Sequence, residues 1–155
     1  MIPAFFQITL KAFLLDPDGK LLILRDRASG LGDLPGGRLG RGEIYISWGE
    51  CLNREIREEL GDAIRYELHE EPVFCFPHYM VSDQCEGLGI AFQGKYFDGN
   101  ISLSDEHDFM EWVNPDEYRF ETLFKDHMLD AIYKFLSTRS KILNTETGRQ
   151  RDSDA

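Results

Sequence analysis

Three glutamates lie close together after a glycine-rich stretch of this sequence. They are Glu55, Glu58 and Glu59, within "REIREELGD" at residues 54–62. At about 100° per residue, a helix through this segment places all three on adjoining positions of one arc. Like charges at this spacing repel one another, so a bound cation is expected to compensate them. Mg²⁺ and Mn²⁺ prefer such oxygen ligands. A surface helix with solvated Glu and Arg has the same local pattern, and the flanking residues must decide between the two interpretations.

The segment before these glutamates suits an anionic ligand. The loop "ASGLGDLPGGRLGRGE" at residues 28–43 is rich in glycine, which lets the backbone approach a ligand closely. Ser47 and Glu50 form a capping box that begins the helix, and Gly61 ends it. The N–H groups of the loop and of the helix N-terminus can face a phosphate. Carboxylates for a metal beside a phosphate loop are the combination that metal-assisted phosphoryl transfer needs.

Hydrophobic periodicity and turn residues predict the elements that position this helix. The predicted strands cover residues 6–15, 21–27, 34–38, 72–81, 88–97 and 110–113, and a second helix covers 122–136. The first two strands form a hairpin around the turn "DPDGK". This order predicts a mixed sheet with helices on its faces. Residues 1–136 are predicted to form one domain, and the polar residues 137–155 a frayed C-terminal tail.

Composition and charge disfavour several classes of protein. With 155 residues, of which 42% are hydrophobic, the chain can bury the core of one domain. The net charge of −11 argues against a general nucleic-acid or anionic-membrane surface. The apolar N-terminal stretch lacks a charged leader, and Lys11 interrupts it before a membrane-spanning length. The three cysteines have no metal-ligand spacing and are odd in number, so we expect reduced thiols in a cytoplasmic protein.

The glycine loop and the helix together resemble the signature of the Nudix hydrolases. That signature is Gly, five residues, Glu, seven residues, then Arg-Glu-aliphatic-x-Glu-Glu-x-Gly-aliphatic. The matching residues are Gly37, Glu43, Arg54, Glu55, Ile56, Glu58, Glu59 and Gly61. Ten residues instead of seven separate Glu43 from Arg54, and Asp62 takes the final aliphatic position. Counting back from Arg54 places the three extra residues, 44–46, in the loop before the helix. The helix keeps its register, and the position of Glu43 is left open.

The resemblance implies a fold, a reaction and a cofactor. The fold is a Nudix-type α/β/α sandwich with a central mixed β-sheet. The reaction is hydrolysis of a nucleoside diphosphate linked to another moiety, with Mg²⁺ or Mn²⁺ as the cofactor. The implied metal ligands are the Gly36 carbonyl, Glu55, Glu58, Glu59 and Glu106. Arg54 is implied to orient a catalytic glutamate. Glu106 matches a loop carboxylate that the family often adds before a Trp-containing strand, and Asp108 and Glu111 are the alternatives.

The proton and phosphate contacts of the implied reaction can be assigned only in part. Glu55 or Glu106 is the expected general base. The predicted substrate-binding residues are Arg25, Arg27, Gly37 and Arg38, although the first two can equally be edge-strand charges. The aromatic strand "CFPHYM" at residues 75–80 could stack on a base, but such strands are more often part of a core.

The substrate class stays open between nucleoside triphosphates, nucleotide sugars and capped RNA. An RNA 5′-end pyrophosphohydrolase is an alternative that the negative charge disfavours. A non-catalytic nucleotide-binding regulator with the same fold is a second alternative, which the complete glutamate set disfavours. The expected partner is a small-molecule nucleotide, and the chain is expected to be a monomer or a homodimer.

Overall fold

The structure is a computed structural model, which describes the backbone of residues 1–152 and the side chains of residues 1–139. Within these residues it contains eight strands, two α-helices and two short 3₁₀ helices. The strands are β1 (Gln7–Leu15), β2 (Leu21–Asp26), β3 (Gly32–Asp33), β4 (Gly36–Arg38), β5 (Arg65–Leu68), β6 (Phe74–Met80), β7 (Cys85–Asp98) and β8 (His107–Val113). The α-helices are α1 (Trp48–Leu60) and α2 (Asp126–Asp152), and the 3₁₀ helices are Glu43–Tyr45 and Phe120–Thr122.

The eight described strands form one mixed sheet. At its centre β1 and β7 run parallel, from the pair Gln7–Gly87 to the pair Leu15–Lys95. All other pairings are antiparallel: β1 with β2 and β4, β2 with β3 and β8, and β7 with β5 and β6. A parallel pair is stable when both faces of the sheet are covered. Here α1 and α2 cover the two faces.

Two hydrophobic cores show this layering. Successive side chains of a strand point to opposite faces. Leu10, Ala12 and Leu14 of β1 therefore pack on the α1 side, together with the predicted helix stripe of Leu52, Ile56 and Leu60. Phe13 points to the α2 side, where it stacks on Phe135 at 4.3 Å between ring centroids. The α/β/α sandwich predicted from the sequence is confirmed.

The ends of α1 agree with the predicted caps. The side chain of Ser47 accepts a hydrogen bond from the Glu50 N–H at 3.3 Å. Gly61 has φ 86°, which few other residues adopt easily, and its N–H donates to the Arg57 carbonyl at 2.9 Å. The register of the three glutamates on α1 is therefore as expected.

Several elements differ from the prediction. The short strands β3 and β5 were not predicted, because segments of two and four residues carry no clear periodicity and form only by pairing with β2 and β7. Strand β8 begins at His107, three residues before the predicted start. Helix α2 continues past residue 136 to Asp152. Fraying of the tail stays a prediction, and residues 153–155 lie outside the described residues. No helix in the described chain is both long and apolar enough to cross a membrane.

Candidate active site

A cavity of about 590 Å³ opens at the end of the sheet beside the glycine loop. Its volume lies in the range of pockets that hold small molecules. One part of the wall comes from the glycine loop, α1 and the segment before β8: Gly36, Gly37, Arg38, Glu55, Glu59 and Glu106. Another part comes from β1, β3, β6, the start of α2 and the residue before it: Thr9, Lys11, Asp33, His78, Tyr79, Met80, Lys125, His127 and Met128. The cavity thus connects the predicted carboxylates with the α2 side of the sheet.

Two glycines of β4 allow close contacts with neighbouring elements beside this cavity. The Gly36 N–H donates a hydrogen bond to Glu59 Oε2 at 2.9 Å, and Gly36 has φ 149°. A Cβ added to Gly36 would overlap the Leu10 carbonyl, and one added to Gly37 would overlap the carboxylate of Glu55. Glycine at position 36 therefore lets β4 lie close to β1, and glycine at position 37 leaves room for the carboxylate of Glu55.

Glu59 is the most buried of the three glutamates of α1. It is 4% exposed, and burial raises its pKa to about 7, against the lowering effects of the Lys11 charge and the Gly36 N–H. Burial disfavours the ionised form of a carboxyl group unless a cation or hydrogen-bond donors compensate it. The environment of Glu59 therefore suits a carboxylate that binds a cation.

The structure separates Glu58 from the other two glutamates. Glu55 and Glu59 lie in the cavity wall, whereas the Glu58 side chain is 63% exposed and lines a cleft on the outer face of α1. Among the described residues, no three His, Cys, Asp or Glu side chains are gathered tightly enough to form a ready metal site. The cavity brings together Gly36, Glu55, Glu59 and Glu106 of the predicted ligands, and ligation by Glu58 stays a prediction.

Arg54 contacts three glutamates of the motif. It forms ion pairs with Glu43 and with Glu55, where the distance from Arg54 Nη2 to Glu55 Oε1 is 2.8 Å, and a longer one from Arg54 Nε to Glu58 Oε1 at 3.7 Å. Glu43 also accepts a hydrogen bond from the Gly40 N–H at 2.6 Å, and the bonds from Arg54 and Gly40 lower the pKa of Glu43. Glu43 therefore contacts Arg54 of the motif. Residues 44–46, where the sequence predicts an insertion, project into solvent, and Tyr45 is 90% exposed.

Glu106 lies in the cavity wall, and its role as a catalytic carboxylate stays a prediction. Its carbonyl accepts a hydrogen bond from the Arg27 N–H at 2.8 Å. The two alternatives for this carboxylate, Asp108 and Glu111, are absent from the described cavity wall. Asp108 pairs instead with Arg25 at 2.7 Å.

The four predicted substrate contacts fall into two groups. Gly37 and Arg38 line the cavity, whereas Arg25 and Arg27 are absent from its described wall. Arg25 lies over the Phe109 ring, 5.4 Å from the centroid, in addition to pairing with Asp108. Arg38 forms an ion pair with Asp83 in the β6–β7 turn. Substrate binding by Arg25 and Arg27 stays a prediction.

Removal of the Arg25 side chain tests that prediction. We expect Arg25→Ala to leave the KM for nucleotide within about twofold of the wild-type value, because exposed ion pairs contribute little and this one lies outside the cavity. Steady-state kinetics would measure KM. A KM increase of about tenfold or more, with unchanged stability, would return Arg25 to the substrate site.

A group of charged side chains in the cavity, centred on the buried Lys11, was not predicted from the sequence. Lys11 Nζ lies 2.6 Å from Asp33 Oδ1, and His107 Nε2 lies 3.3 Å from Asp33 Oδ2. Burial would raise the pKa of Asp33, but the Lys11 charge and hydrogen bonds from His107, Lys11 and the Leu34 N–H hold it well below its usual range. A lysine within an apolar strand was the available signal, because buried charges are almost always paired. Its partners could not be found from the sequence.

The sequence of the chain matches one protein family over most of its length. A sequence model of the NUDIX domain matches residues 6–134. The chain belongs to the NUDIX family. It is a pyrophosphohydrolase that acts on phosphoanhydride bonds. No curated protein matches the sequence closely enough to count as a relative.

Solved structures support the fold. A MutT protein from Methanosarcina mazei Go1 has a TM-score of 0.72 and 21% identity, over 90% of this chain and 99% of that chain. An Ap4A hydrolase from C. elegans has a TM-score of 0.70 and 15% identity, over 90% and 98%. A UDP-X diphosphatase has a TM-score of 0.62 and 17% identity, over 90% and 66%. At these identities the likeness shows a shared fold.

Proposed function

We propose that this protein hydrolyses the phosphoanhydride of a small nucleotide, a nucleoside diphosphate linked to another group, with Mg²⁺ or Mn²⁺ as the cofactor. The observation that carries the proposal is the placement of Glu55, Glu59 and Glu106 in the wall of one cavity beside Gly36. The cavity volume is sufficient for a nucleotide.

The donor set fits a hard divalent cation. Glu55, Glu59, Glu106 and the Gly36 carbonyl would hold the ion through oxygen atoms, which suit Mg²⁺ and Mn²⁺. The desolvated carboxylate of Glu59 supports the same assignment. When bound, such an ion supplies charge neutralisation for the diphosphate and lowers the pKa of a coordinated water.

The net negative charge of the cavity wall supports a substrate that binds as a complex with divalent cations. Its Asp and Glu residues are Asp26, Asp33, Glu55, Glu59, Glu106 and Asp126, and its Lys and Arg residues are Lys11, Arg38 and Lys125. Six carboxylates against three cationic side chains would repel a bare polyphosphate. A diphosphate complexed with divalent ions avoids this repulsion. The excess of acidic groups also disfavours a long RNA strand, whose backbone needs clustered cations.

Arg54 and Gly37 would determine the position of Glu55, one of the two candidate general bases. Arg54 binds Glu55 Oε1, and Gly37 leaves space for the remainder of that carboxylate. Either Glu55, which Arg54 holds from one side, or Glu106 would accept the proton from the attacking water. His78, for which burial lowers the pKa to about 4, would stay neutral and contact the group attached to the diphosphate.

A nucleotide panel tests this function. We expect Mg²⁺- or Mn²⁺-dependent release of phosphate, pyrophosphate or a nucleoside monophosphate from at least one substrate. The panel contains nucleoside triphosphates, dinucleoside polyphosphates and nucleotide sugars, and chromatography would identify both products. EDTA and the Glu55→Gln variant serve as controls. Activity on triphosphorylated RNA alone would contradict the small-molecule assignment, and nucleotide binding without turnover of any substrate would indicate a regulator.

The location of the protein forms part of the same proposal. We propose a reducing, cytoplasmic environment, which is supported by the free thiols of Cys51, Cys75 and Cys85. A monomer or a homodimer is proposed for the assembly, and light scattering would distinguish the two.

A further inference from the structure

A chain of two buried side chains and one partly buried carboxylate crosses the cavity wall between segments that are distant in the sequence. Lys11 belongs to β1, Asp33 to β3, and His107 to the start of β8. Asp33 Oδ1 accepts hydrogen bonds from Lys11 Nζ at 2.6 Å and from the Leu34 N–H at 2.8 Å. Asp33 Oδ2 faces His107 Nε2 at 3.3 Å. Lys11 and His107 are almost completely buried.

This chain of side chains ends at the segment that carries Glu106. Two residues after Glu106 the pairing of β8 with β2 is irregular, since Asp26 pairs with His107 and Arg25 with Phe109, which leaves Asp108 without a paired residue on β2. Three backbone hydrogen bonds hold the segment. The Ser104 N–H donates to the Glu59 carbonyl at 3.0 Å, the His107 N–H donates to the Ser104 carbonyl at 3.3 Å, and the Glu106 carbonyl accepts from the Arg27 N–H. The imidazole of His107 adds a side-chain anchor immediately next to Glu106.

Asp33 also connects this anchor to the glycine loop. Its bond with the Leu34 N–H fixes the residue two positions before Gly36, whose N–H binds Glu59. One carboxylate therefore contacts both the segment of Glu106 and the approach to Gly36. Buried ion pairs are often no more stabilising than apolar residues of similar volume, so stability alone does not account for this group.

We propose that His107 and Asp33 are positioning residues, which hold the Glu106 segment against the carboxylates of the cavity, while Lys11 compensates the charge of Asp33. The inference rests on the proposed metal-dependent function, because it concerns a carboxylate of that site. His107 and Asp33 act through Glu106 and through the backbone, not by contact with the reacting atoms.

Two substitutions of His107 test this role. His107→Ala removes the anchor and keeps the Lys11–Asp33 pair, so the protein should still fold. His107→Gln retains an N–H donor that can reach Asp33. For His107→Ala we expect at least about tenfold weaker Mn²⁺ binding and a similar loss of kcat. We also expect faster amide hydrogen exchange at residues 104–107 and a KM within about threefold of the wild-type value. For His107→Gln we expect Mn²⁺ affinity, kcat and amide hydrogen exchange at residues 104–107 to return most of the way to the wild-type values.

Calorimetry with Mn²⁺ alone, hydrogen exchange followed by mass spectrometry, and steady-state kinetics would provide the readouts. Asp98→Asn, which breaks an exposed ion pair with Arg65 on the far strand β5, is the control and should change none of them. The inference would be overturned if the rate of amide hydrogen exchange at residues 104–107 were the same in His107→Ala as in the wild-type protein. The inference would also be overturned if His107→Ala and His107→Gln lost kcat and Mn²⁺ affinity to the same extent and their melting temperatures fell by the same amount. The losses would then follow stability and not the position of Glu106. If the wild-type protein hydrolyses no nucleotide, the proposed function fails, and the exchange data still decide the positioning role.

Discussion

Glu59→Gln is expected to remove hydrolysis, with kcat/KM at least about 100-fold below that of the wild-type protein, while the variant stays folded. A carboxylate that neutralises a bound cation contributes several kcal/mol to the transition state, and each 1.36 kcal/mol corresponds to a factor of about ten. The amide of glutamine can still accept the hydrogen bond from the Gly36 N–H. The fold around Gly36 should therefore persist, and Mg²⁺ or Mn²⁺ binding should be lost.

The same substitution, which is expected to remove activity, should increase the stability of the metal-free protein at neutral and alkaline pH. Burial raises the pKa of Glu59 from 4.5 to about 7. The folded state therefore binds the proton more tightly than the unfolded chain. The resulting stabilisation is complete below about pH 4.5 and is lost as the pH rises through about 7. Glutamine cannot ionise, so the variant should be more stable than the wild type above pH 7, by at most about 3 kcal/mol.

Urea unfolding in EDTA at pH 5 and pH 8.5 would measure this difference, together with kinetics in Mg²⁺. The difference in the free energy of unfolding between Glu59→Gln and the wild type should be larger at pH 8.5 than at pH 5. Glu67→Gln, at an exposed position of β5, is the matched control and should alter neither activity nor the pH dependence of stability. Near-normal turnover by Glu59→Gln would remove Glu59 from the active site. A stability gap independent of pH would show that its carboxylate is not desolvated.

Gly37→Ala should have the second largest effect, again on activity more than on stability. A Cβ at this position would overlap the carboxylate of Glu55, which would have to turn away from the loop. Glu55 is only partly buried and can move, so the free energy of unfolding should fall by no more than about 1 kcal/mol. A displacement of about 1 Å in an active-site group can cost about 100-fold in rate, and we expect a loss of that size in kcat/KM.

The control for this variant is Gly49→Ala, in the first turn of α1. A Cβ at Gly49 would meet only the Ser47 hydroxyl, at 3.7 Å, and alanine favours a helix over glycine by about 0.5–1 kcal/mol. This control should be slightly more stable than the wild type and equally active. Steady-state kinetics and thermal unfolding of both variants would test the pair. Full activity of Gly37→Ala would show that the position of Glu55 is not critical for the reaction.

Local features of this protein were predictable because short-range interactions produce them. The capping serine, the terminal glycine and the apolar stripe of α1 determine where the helix begins, where it ends and which face it buries, and the structure confirms each of them. The β1–β2 hairpin depends on a turn of a few residues and was equally predictable. The spacing of the motif carried the family, because the helix register fixes the relative positions of its glutamates.

The details of the site depend on contacts between distant segments. The parallel pairing of β1 with β7 joins residues about 80 positions apart, and the contact between Asp33 and His107 joins positions 74 apart. The sequence placed Glu58 and Glu59 on one arc of α1. Only the packing of α1 against the sheet decided that Glu59 is buried in the cavity while Glu58 faces solvent. The amino-acid sequence by itself determined the helix, the glycine loop and the family, since these follow from neighbouring residues. The tertiary structure alone decided which charges meet in the cavity, because that depends on how the strands and helices pack.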